Sequence, residues 1–193
     1  MNLVNEYRIG LDVDGVLANF WGAFCDLAGR PHLSNKWSSD WPKEEFDRFW
    51  NEIKDKVWFW ENLPLLTNPV NIDFEVTAYI TALPPAMADA RQSWLQANGF
   101  PDAPLIVAPA KSKLDHIKNM GINVFVDDKP STCKHLHENG IIALQYLPYY
   151  ANYDNYTQGS RWNNVHHIKE VKEFLIVMDG HRQLNNKDRK LVH

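Results

Sequence analysis

Short apolar runs alternate with amphipathic stretches from residue 74 onward, and this alternation constrains the possible folds most strongly. Each run is long enough for one strand, and the amphipathic stretches close at glycines, which favour helix C-termini. We predict strands at 74–80, 105–107, 124–126 and 141–144, with helices at 86–98, 113–120 and 131–139 between them. Strands separated by single helices form βαβ units. The pattern therefore predicts an α/β fold in which helices cover both faces of a parallel sheet.

The first third of the chain departs from this alternation. A buried strand is predicted at 7–13, ahead of an Asp-Gly turn, but residues 16–70 contain no convincing strand. The helical stretches there are 17–28 and 43–56. We interpret 16–70 as a small helical cap inserted after the first strand, with 1–15 and 71–193 forming a three-layer, Rossmann-like core.

The C-terminal part carries fewer signals. Residues 149–164 are rich in Tyr and Asn, which indicates an irregular segment. The spacing of apolar residues at 168–177 predicts an amphipathic helix, and the polar tail at 180–193 is expected to fray.

Composition excludes several classes of protein. The 20 Lys and Arg against 24 Asp and Glu give a net charge of −4, which argues against a broadly cationic nucleic-acid binder. Cys25 and Cys133 are too few for the disulfide framework of a secreted domain. No apolar run approaches the roughly 20 residues of a membrane span, and no signal peptide is recognisable. We expect a cytoplasmic protein without membrane or nucleic-acid partners, and a homodimer is an assembly that the sequence allows.

Polar side chains follow four of the predicted strands. They are Asp12 and Asp14 after the first, Thr81 after the second, Lys111 after the third, and Asp127 with Asp128 after the fourth. In a parallel sheet these strand ends meet at one edge. Four converging carboxylates require a cation, and oxygen ligands suit Mg²⁺. A lysine and a hydroxyl beside them suit a phosphoryl group. The spacing from the strand end favours Lys111 over its alternative, Lys113.

A tryptophan cluster lies in the predicted cap. Its members are Trp37, Trp41, Trp50, Trp58 and Trp60. Aromatic residues on short helices are most often core anchors. The alternative is a wall on which a nucleobase stacks.

The strand-end residues resemble the motifs of the haloacid dehalogenase (HAD) superfamily. The four matching elements, in order over residues 7–145, are DVDGV at 12–16, Thr81, Lys111 and VDD at 126–128. The resemblance implies that Asp12 is the nucleophile that forms an aspartyl-phosphate and that Asp14 is the general acid and base. It further implies that Asp12, the carbonyl of Asp14 and Asp128 bind Mg²⁺ directly. Asp127 would lie outside this set of ligands or bind the ion through a water molecule. Thr81 and Lys111 would bind the phosphate.

A narrower resemblance is to the 5′(3′)-deoxyribonucleotidases. It rests on DVDGVLANF, WFWENLPLL, ITALPP, VDDKP and YLPYYANY, although Ala82 stands where that family has Ser. It implies a Mg²⁺-dependent phosphomonoesterase (EC 3.1.3) whose small phosphorylated substrate is a nucleoside monophosphate, with a deoxyribonucleotide expected. The aromatic cap segment of that family falls at Phe59 and Trp60, which are therefore the candidates for contact with the base.

Two other interpretations remain open. The same chemistry would serve another small phosphate ester, such as a sugar phosphate, or the 3′-phosphate end of a nucleic acid. A phosphate-binding protein without turnover is the non-catalytic alternative. The presence of both Asp12 and Asp14 argues against it, because a site that only binds does not need a second carboxylate as acid and base.

Overall fold

A computed structural model describes residues 7–29, 42–148 and 163–190 of the protein, without the side chains of 181–190. The strands are β1 (Ile9–Leu11), β2 (Val76–Thr81), β3 (Leu105–Val107), β4 (Val124–Asp127), β5 (Ile142–Tyr146) and β6 (Asn163–Val165). They form one sheet in the order β3-β2-β1-β4-β5-β6, and every pairing is parallel. The predicted α/β fold class is confirmed.

The order of the strands locates the place where a ligand would bind. The chain builds the sheet outward from β1 to β3 and then returns to the other side of β1 with β4. In sheets of this kind the crevice for ligands lies at the carboxyl ends of the strands where the order reverses. Here that point lies between β1 and β4.

The described residues also form α-helices and short 3₁₀ turns. The α-helices are α1 (Phe20–Leu27), α2 (Lys43–Ile53), α3 (Val57–Glu61), α4 (Ala88–Ala97), α5 (Lys113–Asn119), α6 (Pro130–Glu138) and α7 (Glu170–Lys190). Single 3₁₀ turns occur at Pro69–Asn71, Pro85–Met87 and Ala110–Ser112. Within the described ranges, no helix has both the length and the apolar character that a membrane crossing requires.

The two faces of the sheet bury separate apolar clusters because side chains alternate along each strand. On β4, Val124 and Val126 belong to the larger cluster, whereas Phe125 belongs to the smaller one beneath α5 and α6. Gly10 on β1 makes room for this arrangement. A Cβ at that position would come within 2.8 Å of the Phe125 ring.

The helices of the predicted cap share the larger cluster with the sheet. Phe20 of α1 stacks on Trp60 of α3 with ring centroids 5.6 Å apart, and Phe24 and Ile53 are fully buried beside them. Packing within this cluster therefore stabilises the short helix α3, since five residues alone would not form a stable helix. The division of the chain at residues 15 and 71 stays a prediction.

Several predicted element boundaries were wrong. The first helix begins at Phe20, not at residue 17, because the Asn19 side chain accepts a hydrogen bond from the Gly22 amide and caps it. The helix predicted at 43–56 ends at Ile53, and a second helix, α3, follows that range. The predicted fraying tail continues α7 to Lys190, and β6 lies at the end of the stretch predicted to be irregular. Trp37, Trp41 and residues 149–162 lie outside the described residues.

Candidate active site

Asp12 lies directly beyond β1 at the centre of the sheet. Its amide donates to the carbonyl of Val126 at 2.9 Å, which extends the pairing of β1 with β4 by one residue. Its carboxylate accepts hydrogen bonds from Lys113 Nζ at 2.5 Å and from the Val13 amide at 2.7 Å. Asp12 is only 6% exposed and lines the cavity described below.

A tight loop after Asp12 brings Gly15 against Asp128. The Val13 carbonyl accepts the amides of Leu17 and Ala18, and Gly15 has a left-handed backbone with φ of 85°. A Cβ on Gly15 would overlap the carboxylate of Asp128. Glycine is therefore required here both by the backbone conformation and by the close approach of Asp128.

Asp14 is held by an ion pair. Arg91 Nη2 of α4 donates to Asp14 Oδ1 at 2.6 Å, and the Thr81 hydroxyl lies 3.4 Å from Oδ2. Burial raises the pKa of Asp14, whereas the charges of Arg91 and Lys113 act in the opposite direction. The two carboxylates of the DVD sequence thus have different cationic partners.

Asp127 is the most enclosed carboxylate of the group. Lys113 Nζ donates to its Oδ2 at 2.8 Å and the Lys129 amide donates to its Oδ1 at 2.9 Å. Asp127 is fully buried, whereas its neighbour Asp128 is 8% exposed. Asp12 and Asp128 keep a small exposed fraction, 6% and 8%, so their carboxylates are the better placed oxygen donors for a cation.

The site carries an excess of negative charge. Its buried charged side chains are Asp12, Asp14, Asp127, Asp128, Arg91 and Lys113. Four carboxylates and two cations leave a formal charge of −2. Oxygens of Asp12, Asp127 and Asp128 lie within 4.8 Å of one another. A divalent cation would neutralise this excess, and an all-carboxylate donor set suits Mg²⁺.

The pKa of Asp12 reflects its burial above all. Burial raises it to about 7, even though the neighbouring Lys113 acts to lower it. Burial alone would lower the pKa of Lys113, but the charges of Asp12 and Asp127 more than offset this and raise it. Lys113 therefore remains cationic at neutral pH.

A cavity of about 140 Å³ opens between these groups. It is lined by Asp12, Asp14, Thr81, Ala82, Ala110, Lys113, Asp127, Asp128, Lys129 and Thr132. A space of this size accommodates a small anion and a cation rather than a whole drug-sized ligand, for which pockets of roughly 300 Å³ or more are usual. The predicted residues Asp12, Asp14, Thr81, Asp127 and Asp128 all line it.

The structure does not place Lys111 among the residues that line this cavity. Lys111 is exposed within the 3₁₀ turn Ala110–Ser112, whereas Lys113 begins α5 and is 3% exposed. The 3₁₀ turn lies between the end of β3 and the start of α5, so the lysine beside Asp12 comes later in the sequence than expected. Counting residues from the strand end could not show this turn. The alternative, Lys113, is the lysine that contacts Asp12.

The structure also corrects the choice of aromatic residues for substrate contact. Phe59 is 4% exposed and Trp60 is 1% exposed, and both lie in the larger apolar cluster. Trp58 on the same short helix is 54% exposed. With about 3.6 residues per turn, consecutive aromatic residues on a helix cannot all face one way, so two of the three pack inward. Phe59 and Trp60 are core anchors.

Arg91 is the site residue that the sequence interpretation missed. It is fully buried on α4, on the face that also carries Ala90, Trp94 and Leu95. An arginine within the apolar face of an amphipathic helix is a signal for a buried cation with an anionic partner. That signal was present in the sequence, although the identity of the partner was not.

Comparison with solved structures supports the fold. A HAD-superfamily hydrolase of subfamily IA, variant 1, from Geobacter sulfurreducens PCA matches with a TM-score of 0.53 and 15% identity, covering 88% of this chain and 96% of that chain. A β-phosphoglucomutase from Clostridium difficile matches with a TM-score of 0.52 and 15% identity, covering 92% and 98%. A hydrolase from Pseudomonas syringae matches with a TM-score of 0.51 and 10% identity, covering 88% and 97%.

The sequence itself gave no such match. Neither the models of known families nor the curated protein sequences match this chain. At 10–15% identity the structural likeness is one of fold. The parallel sheet, the acidic cluster at its centre and these neighbours lead to one conclusion: the protein has the α/β fold of HAD-superfamily hydrolases.

Proposed function

We propose that the protein is a Mg²⁺-dependent phosphatase that acts through an aspartyl-phosphate on Asp12. The observation that carries the proposal is the placement of Asp12 between Lys113 and a small acidic cavity at the centre of the sheet. A carboxylate in contact with a buried lysine and beside a phosphate-sized space is suited to nucleophilic attack on phosphorus.

The donor set fits a magnesium ion. Asp12 and Asp128, which keep a small exposed fraction, would hold it, and the fully buried Asp127 would orient Lys113 and the loop after β4. When bound, Mg²⁺ offsets negative charge as the carboxylate and the phosphate approach each other.

In the first step, an oxygen of Asp12 forms a bond to phosphorus while the bond from phosphorus to the leaving oxygen breaks. Asp14, in its protonated form, gives its proton to that leaving oxygen, and the alcohol departs. Lys113 and Thr81, which line the cavity, would donate hydrogen bonds to the transferring phosphoryl group.

In the second step, water attacks the phosphorus of the aspartyl-phosphate. Asp14, now a carboxylate, accepts a proton from that water, and the bond between phosphorus and the Asp12 oxygen breaks. Inorganic phosphate leaves, and both aspartates return to their starting states. One water is consumed for each ester hydrolysed.

For the substrate we propose a nucleoside monophosphate, with deoxyribonucleotides preferred. The support is the resemblance of the DVDGVLANF and VDDKP segments to deoxyribonucleotidases. The cavity has room for the phosphate end, so the remainder of the substrate would lie outside it, with residues 16–70 acting as the cap. The burial of Phe59 and Trp60 removes the expected stacking wall and makes a sugar phosphate the second candidate.

The test is phosphate release from a panel of deoxyribonucleotides, ribonucleotides and sugar phosphates, each assayed with Mg²⁺ and with EDTA. We expect Mg²⁺-dependent release, with EDTA lowering the rate more than about 10-fold, and a loss of about 10³-fold or more in Asp12→Asn. The matched control is Asp115→Asn, which changes an exposed aspartate on α5 and should retain full activity. Wild-type activity in Asp12→Asn would refute the mechanism, and release from sugar phosphates alone would refute the nucleotide substrate.

A further inference from the structure

Arg91 is buried in an unusual way. Its side chain is fully buried, and Nη2 donates to Asp14. The remaining two nitrogens, Nε and Nη1, are buried and have no hydrogen-bond partner in the part of the chain that the structure describes. A buried guanidinium normally uses several of its five N–H groups. Here it directs one strong, charge-assisted bond at a single carboxylate.

Two tryptophans fix the position of this guanidinium. The Cζ atom of Arg91 lies 5.4 Å from the ring centroid of Trp60 and 5.4 Å from that of Trp94. Both distances are within the range of cation–π attraction. Aromatic rings that contact a planar cation restrict its plane, so they restrict the direction of the bond to Asp14 as well.

One of the two rings comes from the region inserted after β1. Trp60 belongs to α3, and Trp94 Nε1 donates to the carbonyl of Leu63 at 2.8 Å, which ties the chain after α3 to α4. The contact to Asp14 therefore connects the insertion to the loop that carries the acid.

Among the described residues, Arg91 and Thr81 are the hydrogen-bond partners given for the Asp14 side chain. The Thr81 hydroxyl is 3.4 Å away, near the limit of a hydrogen bond, whereas Arg91 is at 2.6 Å. The loop fixes the backbone of residues 13–18, but the direction of the Asp14 carboxylate depends on its contacts with other side chains.

From these contacts we propose that Arg91 is a positioning residue: clamped between Trp60 and Trp94, it orients the Asp14 carboxyl group toward the leaving oxygen of the substrate. This inference rests on the proposed phosphatase function and adds a residue to it. Arg91 does not touch the substrate. It acts only through Asp14, and its removal affects the steps that need Asp14.

Leaving groups of different quality test this role. An alkyl ester needs a proton on its leaving oxygen, whereas p-nitrophenyl phosphate releases a stable anion that does not. The experiment compares kcat/KM for p-nitrophenyl phosphate with that for the alkyl ester that the wild type hydrolyses fastest. The variants are Arg91→Met, Arg91→Lys, Asp14→Asn and the double variant Arg91→Met with Asp14→Asn.

We expect Arg91→Met to lower kcat/KM for the alkyl ester about 10- to 100-fold and for p-nitrophenyl phosphate less than about 3-fold. In the Asp14→Asn background, the same change should add less than about 2-fold. Arg91→Lys should recover part of the loss, since Lys and Met have similar size but only Lys keeps the charge. Arg48→Met is the matched control, because Arg48 lies over the Phe49 ring on the exposed side of α2 and should behave as wild type.

With an active wild type, three outcomes would overturn the inference. Equal losses on both esters would show a merely structural role, as would additive losses in the double variant. No recovery of activity in a folded Arg91→Lys would exclude the charge as the cause. Circular dichroism of every variant establishes that it is folded.

If the wild type releases phosphate from neither ester, the proposed function itself fails and the positioning role fails with it. If the wild type is active but Arg91→Met lowers kcat/KM equally for both esters, the proposed function stands and only the positioning role fails.

Discussion

At the scale of single residues, Lys113 joins the two strands that carry the candidate site. Its ammonium group donates to Asp12 beyond β1 and to Asp127 at the end of β4. It also lies 5.7 Å from the centroid of the Phe125 ring on the same face of the sheet. A single cation thus compensates two buried carboxylates and is aimed at the cavity between them.

We therefore expect Lys113→Met to lower phosphatase activity by about 10²-fold or more, because it removes a preorganised donor from the transferring phosphoryl group. Lys111→Met should stay within about 2-fold of wild type, since Lys111 is exposed and outside the cavity. Steady-state kinetics on the two purified variants measures the difference. A larger loss of activity in Lys111→Met than in Lys113→Met would instead support Lys111, the lysine that the sequence favoured.

Gly15 allows a second comparison at this scale. In Gly15→Ala the new methyl group would overlap the Asp128 carboxylate, so we expect Mg²⁺-dependent activity to fall by about 10²-fold, as for disturbed metal ligands. Gly99→Ala is the matched control, because Gly99 also has a positive φ, of 76°, but has nothing within 4 Å of the added carbon. That change should cost about 1 kcal/mol of unfolding free energy and leave activity intact. Equal activities in the two variants would contradict the role of Gly15.

At the scale of elements, α3 shows how five residues are divided between core and surface. Trp60 packs against Phe20 and Phe59, and its Nε1 donates to the Lys54 carbonyl at 3.3 Å. Trp58 is half-exposed on the same helix. The helix is therefore held by its inner aromatic residues, while Trp58 is free to contact solvent or a ligand.

Truncation of these residues should separate the two roles. We expect Trp60→Ala to lower the free energy of unfolding by about 3–5 kcal/mol, as for other large buried aromatic residues. Trp58→Ala should change it by less than about 1 kcal/mol. Urea denaturation followed by circular dichroism measures both. A Trp60→Ala variant of wild-type stability that has lost only substrate affinity would restore the stacking role predicted from the sequence.

How far the sequence predicts the fold differs between elements. The βαβ order was predictable, because β-branched runs ending at Asp12, Thr81 and Asp127 are local signals. The approach of Arg91 to Asp14 was not, because no local rule pairs a helix residue with a loop 77 positions away. The short strand β6, at Asn163–Val165, was missed because its sequence is polar and it forms by pairing with β5.

At the scale of the whole molecule, the uncompensated charge at the centre of the sheet links stability to pH. Without a bound cation, burial raises the pKa of Asp12 from 3.8 to about 7 in the folded state. Between these values the folded protein binds the proton more tightly than the unfolded chain does. The contribution of Asp12 to the free energy of unfolding therefore falls as the pH rises from about 4 to about 7.

We expect Asp12→Asn, which cannot ionise, to lose this part of the pH dependence. Urea denaturation in EDTA, compared between about pH 5 and about pH 8, should show wild type losing more stability than the variant as the pH rises. Mg²⁺ should reduce the loss in wild type, because a cation favours the ionised carboxylate. Parallel pH profiles of the two proteins in EDTA would contradict this account.

The position of β1 in the sheet has a consequence for biosynthesis. Both of its neighbours, β2 and β4, lie far along the chain, so the central strand cannot complete its pairing while the first third of the protein is being made. Asp12 and Asp128 come together only when β4 has joined β1, after residues 124–128 have left the ribosome. The proposed cation site therefore forms late, and a nascent chain that ends before residue 124 lacks it.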